Sequence, residues 1–433
     1  MTPKRLIGII VLFGIVIMAL WLFLRGDSSQ NNTKTGITTE TGVSSLFPFS
    51  KSSTPTLEQK PTTTNGTPSF NEVANPEFAE QTDSVGNLIQ VTNRLVAGLT
   101  ALPIETASSS NTHSASNGKP SEPPSTTPRI RFVERGTGYI YDIDAIGKNE
   151  KKVSGTTIVR ASDALFADGG ATVIERYIKN DNVTAATFMG RINADTTSGV
   201  GSIVGSFLPD DISDITVSPD GKSVLYLAPT SDGIAGISIK TTGENKKQLF
   251  TSPFTEWLVD WQKGGMYLTT KASGITDGFS YKISTTGGFE RQLGNILGLT
   301  TKNSPDGKMV LYSIGGDTNL SLRYLSLKDH SDFDSGLKTL PEKCVWSKDS
   351  ITLYCAAPEK LPDGIYPDMW YQGRIVTEDH IWKINTETGT IEKISPNTAI
   401  KLDVTKIALD QNEQYLYFVN KKDFTLWSLL LNH

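Results

Sequence analysis

One short turn recurs at a fixed interval along the second half of the chain. Ser218-Pro219-Asp220-Gly221-Lys222 precedes Val224-Leu225-Tyr226-Leu227, and Ser304-Pro305-Asp306-Gly307-Lys308 precedes Val310-Leu311-Tyr312-Ser313. Halfway between them lies Trp261-Gln262-Lys263-Gly264 before Met266-Tyr267-Leu268, and one further step reaches Ser347-Lys348-Asp349-Ser350 before Thr352-Leu353-Tyr354-Cys355. The turns start at 218, 261, 304 and 347, a period of 43 residues. Weaker copies are Ala167-Asp168-Gly169-Gly170 before Thr172-Val173-Ile174, and Asp410-Gln411-Asn412-Glu413 before Tyr415-Leu416-Tyr417-Phe418. Each copy joins two β-rich runs through a turn in which Pro presets the backbone and Asp-Gly tolerates its tightest point. Self-similarity at such a period marks a repeat architecture, in which one unit buries its faces only against its neighbours.

Two further strand-like pieces follow each turn, for example 236–240 and 247–250 after the first, and 279–283 and 290–293 after the second. Four short antiparallel strands per unit of this length make a β-propeller blade, and helical periodicity is absent from the region. The last unit supplies only three strands, at 405–409, 415–419 and 425–430, so a closed ring needs a fourth from elsewhere. Asn87-Leu88-Ile89-Gln90-Val91 has the pattern of an outer strand, and 94–102 reads as the inner strand of the first blade. The other strands of that blade are placed at 130–134, 139–143 and 150–154. Pairing of the N-terminal strand with the last unit would remove an open sheet edge. The expected domain spans 87–433, with an insertion at 105–128 and a long loop at 357–376, and its length suits seven units. The fold expected is all-β: a seven-bladed propeller of four-stranded antiparallel blades, closed by an N-terminal strand.

The Ser-Pro-Asp-Gly-Lys turns, each followed by an aliphatic-Leu-Tyr run, resemble the propeller repeats of the TolB type, which are related to WD repeats. The resemblance covers residues 87–433, clear in two repeats and partial in five. It specifies the blade and says little about activity. Families sharing it include periplasmic envelope proteins, propeller domains of prolyl peptidases and some polysaccharide lyases. The peptidase arrangement requires an added α/β domain with a G-x-S-x-G elbow, and neither is found in this sequence. The lyase arrangement requires a His-rich metal site, whereas His330 and His380 are the only histidines within the blades. TolB also carries a separate N-terminal α/β domain, where this chain has an apolar run and a polar stretch.

That apolar run, residues 6–24, holds 19 residues without a charge, enough for a helix to cross most of a bilayer core. A cleaved signal peptide would have a shorter apolar region ending in a small-x-small site, and the exit through Trp21 to Arg25 has none. Lys4 and Arg5 outweigh Arg25, so residues 1–25 are expected to anchor the chain with its N-terminus cytoplasmic and the rest outside. Residues 26–86 follow as a linker, in which 39 of 61 positions are Ser, Thr, Asn, Gln, Gly or Pro. Such a stretch cannot bury enough apolar surface to offset its ordering entropy, and as a coil it reaches roughly 40–45 Å. It accounts for an overall hydrophobic fraction of only 37% despite the apolar end. Leu46-Phe47-Pro48-Phe49 is an isolated apolar spot within it, and Asn31 and Asn65 stand in glycosylation-type triplets.

With 41 basic against 46 acidic residues, the chain has no general attraction to nucleic acid. Two cysteines and four histidines leave little material for a metal centre, and no cofactor is expected. Cys344 and Cys355 flank one hairpin; a turn at 347–350 would set Cys344 opposite Leu353, with Cys355 diagonal and within bridging reach. The choice lies between a disulfide and two buried thiols, since no histidine is placed to activate either sulfur. The loop 357–376 holds Tyr366, Asp368, Trp370, Tyr371 and Arg374, the composition of a binding hot spot. Glu256 and Trp257, on the connection Ser252-Pro253-Phe254-Thr255-Glu256-Trp257, are expected on the same face, as are Arg94, Arg160, Asp211 and Lys401. The competing reading folds Trp370 and Tyr371 back over the blade edges. No pair of carboxylates has a spacing that singles out an acid and a base, so no catalytic residue is assigned. The sequence thus points to a non-enzymatic, membrane-tethered extracytoplasmic propeller that binds a protein or a cell-envelope polymer. The alternatives are a glycan lyase or hydrolase acting in the channel and a scaffold subunit of an envelope complex.

Overall fold

The computed structural model describes residues 84–103, 127–193, 199–284 and 286–431. The expected anchor at 6–24, nearly all of the linker and most of the 105–128 insertion lie outside the described residues. Among the described residues no helix is long and apolar enough to cross a membrane.

Seven antiparallel sheets form the blades of an all-β propeller. Blade 1 runs Val96–Ala101, Arg129–Glu134, Ile140–Asp144 and Lys151–Ser154. Blade 2 runs Ala161–Ala167, Thr172–Ile178, Ala185–Asn193 and Ser202–Phe207. Blade 3 runs Ile215–Val217, Ser223–Thr230, Gly233–Lys240 and Lys247–Ser252. Blade 4 runs Trp257–Gln262, Gly265–Thr270, Asp277–Ile283 and Phe289–Leu297. Blade 5 runs Thr301–Asn303, Met309–Gly315, Leu320–Ser326 and Asp332–Asp334. Blade 6 runs Cys344–Trp346, Thr352–Pro358, Asp379–Asn385 and Ile391–Lys393. The seventh sheet holds Val404–Leu409, Tyr415–Asn420 and Leu426–Leu430, and Leu88–Thr92 lies antiparallel beside the last of these with Leu88 opposite Leu429. A two-residue strand, Ser84–Val85, adds a fifth member inside the stretch read as linker.

The recurrent turn is explained by its own hydrogen bonds. Ser218 Oγ donates to Asp220 Oδ1 at 2.6 Å, and that oxygen also accepts the Lys222 N–H at 3.0 Å. Ser218 Oγ in turn accepts the Ser223 N–H at 2.9 Å. Ser304 and Asp306 repeat the arrangement at 2.7 and 3.1 Å. Gly221 and Gly307 take φ values of 70° and 71°, the left-handed conformation that costs glycine least.

Burial follows strand rank within a blade. Second strands are covered by the blades on both sides, so Val224, Leu225, Tyr226 and Leu227 are all fully buried and read as an unbroken apolar run. Outer strands are wet, and Asp332–Asp334 is exposed throughout. The core is a series of packed layers, as where Leu311, Leu322 and Tyr324 of blade 5 meet Trp346, Leu353 and Ile384 of blade 6. Carboxylates tie neighbouring first strands across the same boundaries: Asp214 accepts the Val259 N–H at 2.7 Å, and Asp260 accepts the Asn303 N–H at 3.2 Å.

Two local expectations need correction. Cys344 stands directly opposite Cys355, and Leu353 faces Trp346. The hairpin closes through the Ser347 N–H to the Thr352 carbonyl, one step beyond the expected turn, which shifts the register and aligns the cysteines. They are joined by a disulfide. The blade 6 insertion is also partly ordered into secondary structure: the second strand continues to Pro358, the third begins at Asp379, and a one-turn helix, α1 (Asp368–Tyr371), lies between them.

Candidate functional site

The meander gives the ring two distinct ends. On one, the connection face, lie the turns between second and third strands together with the blade-to-blade connections. On the other, the turn face, lie the recurrent first-to-second-strand turns and the third-to-fourth turns. The first strands line the axial space between these ends.

The loop between Pro358 and Asp379 is clamped over the connection face. The Thr318 N–H donates to Gly364 O and the Tyr366 N–H to Gly316 O, at 2.8 and 2.9 Å, which fixes the loop to blade 5. The peptide bond between Tyr366 and Pro367 is cis. Asp368 accepts the Gly274 N–H from blade 4 at 2.6 Å. Lys421 of blade 7 donates to the Trp370 carbonyl, and its Nζ stands 3.9 Å from the centre of the Trp370 ring. Burial pushes the Lys421 ammonium down to about 8. The Tyr371 hydroxyl donates to Glu342, and burial, then that carboxylate, holds the phenol well above its ordinary range.

Beneath this loop lies a buried ionic group. Lys343, from the 3-10 turn Pro341–Lys343, meets Asp379 at 2.6 Å and Asp403 at 3.0 Å. Trp370 Nε1 donates to Asp403 at 3.0 Å, so the loop is tied to the same carboxylate. Burial works against ionisation of Asp403, yet Lys343 and the Trp370 indole hold its carboxyl below the usual range. Burial pushes the Asp379 carboxyl up, and the pull of Lys343 does not fully offset it.

The expected hot-spot rings therefore face inward. Tyr366 and Trp370 are buried, and the Tyr366 hydroxyl donates to the Pro362 carbonyl at 2.8 Å. Trp257 is buried too, its indole N–H shared between Ser252 Oγ and the Phe254 carbonyl at 3.0 and 2.9 Å. An indole or phenol with apolar surroundings and a partner for its polar atom is more stable packed than exposed. Glu256 pairs with Lys271 at 3.3 Å, and Arg374 is exposed. Arg94 is held by Glu134 and Glu150 at 2.7 and 2.9 Å, and Asp211 accepts the Ala185 N–H at 2.9 Å. Arg160 and Lys401 are exposed on the connection face.

What that face offers to solvent is a different set: Leu95, Val159, Val183, Phe254, Ile275 and Val376, all on turns or connections. Ile275 is 76% exposed and Val183 74%, so neither serves the core. Ion pairs stand among them, Lys179 with Asp210 at 2.6 Å and Lys401 with Glu378. These positions were readable in the sequence as apolar residues where turn chemistry favours polar ones: Pro253-Phe254, Asn182-Val183, Gly274-Ile275. On the turn face, among the described residues, the exposed apolar residues are Val200 at a turn and Val85, Phe289, Ile391 and Leu430 at strand ends, none more than 41% exposed.

The turn face instead opens into a cavity of about 420 Å³ between blades 1, 6 and 7. Leu99, Val345, Trp346 and Ile407 line it, with Lys348, Asp410 and Glu413 among its polar groups. Both carboxylates are committed to turns: Glu413 accepts Ser347 Oγ and the Lys348 N–H at 2.5 and 2.7 Å, and Asp410 accepts the N–H groups of Asn412 and Tyr415 at 3.0 and 2.5 Å. In the wall of the axial space, a bulge in Val404–Leu409 puts Lys406 at a φ of 50° and turns its ammonium onto Asp163, with Arg176 3.8 Å from the same carboxylate. Burial opposes ionisation of Asp163, but the two cations hold its carboxyl below the ordinary range.

No protein-family model matches the sequence, and no curated protein compared with it matches. Among solved structures, the chain is similar to a functionally unknown protein from Desulfotomaculum acetoxidans, at 13% identity and a TM-score of 0.44 over 70% of this chain and 89% of that one. It is also similar to TolB from Acinetobacter baumannii, at 14% identity and a TM-score of 0.35 over 70% of this chain and 64% of that one. The propeller fold stands on the sheet topology itself.

Proposed function

We propose that the chain is a non-enzymatic binding propeller, tethered to a membrane through residues 6–24 and the linker, which docks a protein outside that membrane through its connection face. The observation that carries this reading is the set Leu95, Val159, Val183, Phe254, Ile275 and Val376, exposed on one end of the ring and interspersed with ion pairs. Aliphatic contacts within a polar surround suit a protein surface. A glycan partner would call for exposed aromatic platforms, and here Trp257, Tyr366 and Trp370 are packed inside. The clamped loop gives this face a fixed shape, which lowers the entropy lost on docking.

The cavity on the turn face supports a second reading, a channel that holds a small ligand or a polymer end for hydrolysis or elimination. The two separate in one experiment. A photo-crosslinking residue at Ile275 should capture a protein in the native envelope, while the same residue at Lys222 on the turn face should not. Turnover of an envelope polymer that is lost on changing Lys348 would replace the proposed reading with the second, and capture from Lys222 alone would move protein docking to the turn face.

A further inference from the structure

The ionic group under the loop is poorly satisfied as an ion pair. The Lys343 side chain is 2% exposed, and those of Asp379 and Asp403 are 0% exposed. Leu320, Leu340, Tyr366 and Trp370 wall them in. Lys343 Nζ reaches Thr377 Oγ1 at 2.6 Å, Asp379 Oδ2 at 2.6 Å and Asp403 Oδ1 at 3.0 Å. The two carboxylates differ sharply. Asp403 accepts Lys343, the Trp370 indole N–H at 3.0 Å and the Thr377 hydroxyl at 2.9 Å. Asp379 uses only Oδ2, which takes Lys343 and the Val404 N–H at 2.8 Å, while Oδ1 is buried without a partner. A buried ion is costly to desolvate even when paired, and more so when one of its acceptor oxygens is left bare.

We propose that Lys343 and Asp379 condense into an intramolecular amide, with Asp403 as the base. A proton passes from Lys343 Nζ to Asp379 along their 2.6 Å hydrogen bond, leaving a neutral amine against a neutral carboxylic acid. The amine lone pair attacks Asp379 Cγ and the C–N bond forms. Asp403, already accepting an Nζ hydrogen, takes the second proton from nitrogen and hands it to the departing hydroxyl. The C–O bond breaks with its electron pair and the oxygen leaves as water. An ammonium and a carboxylate become an amide and water, with no change in net charge and no oxidant or cofactor. The remaining amide hydrogen stays on Asp403. Oδ2, protonated along that bond, is the oxygen that leaves, and Oδ1 becomes the neutral amide carbonyl oxygen, so no bare carboxylate oxygen is left.

The site has the properties this reaction needs. In water, amine and acid remain an ion pair; here fixed juxtaposition supplies effective concentrations on the order of 10⁵–10⁸ M, and apolar walls exclude the water that would reverse the step. Burial favours the protonated acid at Asp379, whereas Asp403 is kept ionised, so acceptor and base are already distinguished. Burial works against the Lys343 charge, yet both carboxylates hold the ammonium in its charged form, so the neutral amine is a minor species and the bond forms slowly, once, after folding.

The test is the intact mass of the purified full chain, denatured and with its disulfide reduced. The amide predicts a mass about 18 Da below that of the sequence, and a tryptic species joining the peptides that carry Lys343 and Asp379. Asp379→Asn should close the same bond with loss of ammonia, about 17 Da. Lys343→Arg and Asp403→Asn should both carry their full sequence masses while keeping the native near-UV dichroism. Full sequence mass in a natively folded wild type overturns the proposal. So does an 18 Da loss that hydroxylamine cleaves, which would be a succinimide, and so does retention of the loss in Lys343→Arg. Loss retained in Asp403→Asn would overturn the role of Asp403 as base.

Discussion

The two ends of the ring are built from the same seven meanders and held in different ways. On the turn face, short repeats satisfy themselves: Ser218 with Asp220, Ser304 with Asp306, and Glu413 bridging to Ser347. On the connection face, an insertion with buried aromatic rings is pinned to blades 4, 5 and 7, and its charge partners lie under it out of water. The first arrangement exposes apolar residues only in part, at strand ends. The second encloses its aromatic rings yet shows aliphatic side chains, up to 76% exposed, on the neighbouring turns.

The largest expected difference lies in the buried charges. Asp403→Ala takes away the acceptor of Lys343, Trp370 Nε1 and Thr377 at once and should cost about 3–5 kcal/mol in urea unfolding. Glu413→Ala on the turn face removes one neutral hydroxyl contact to Ser347 and frees the N–H of the exposed Lys348, and should cost only about 1–2 kcal/mol. Equal losses would mean that the two ends of the ring are held alike. Replacing both Cys344 and Cys355 by Ala releases a closure spanning 11 residues and should cost about 3 kcal/mol, read as the difference from wild type under oxidising conditions.

The connection side also carries a buried group whose titration reaches the neutral range. Glu175 of blade 2 is fully buried against Gly138 of the blade 1 turn on the connection side, and neither carboxyl oxygen has a partner. Burial pushes its pKa from 4.5 up to about 8. The folded chain therefore keeps a proton that the unfolded chain releases, and stability falls as pH rises from 4.5 towards 8, by about 1.4 kcal/mol per unit. Glu175→Gln should flatten that slope between pH 5 and pH 7.5. An unchanged slope would mean that water reaches the carboxyl and that this boundary is not dry.

The repeat made the architecture legible because each unit writes its own turn chemistry: Asp220 and Gly221 are needed locally, wherever the blade sits in the ring. Strand order was legible and some bounds were too, as at Ile140–Asp144 against the expected 139–143, but Gly233–Lys240 begins three residues before the expected 236–240 and Phe289–Leu297 runs four past the expected 290–293. The cysteine register was not, because moving the hairpin turn one residue along the chain shifts every partner by two. The loop was legible as an insertion but not in its orientation, since Trp370 and Tyr366 have the same composition whether they face a partner or the core. Lys343, Asp379 and Asp403 come from a 3-10 turn, the start of a strand and a connection, each unremarkable by itself; only the ring brings them together. The exposed set carried a signal that aromatic composition obscured, because a valine or isoleucine in a turn is a stronger mark of a surface contact than a tryptophan in a loop long enough to bury it.

The smallest expected effect on stability carries the largest weight for function. Ile275→Asp combined with Val183→Asp changes two side chains that touch little of the core, so the unfolding midpoint should move by no more than about 0.5 kcal/mol. If the connection face docks a protein, the same double change places carboxylates in the apolar part of the interface, and binding should weaken at least about tenfold. Lys222→Asp, an equal charge insertion on the turn face, should leave both quantities unchanged. A partner that dissociates from the Lys222 variant and not from the double variant would reverse the assignment of the two faces.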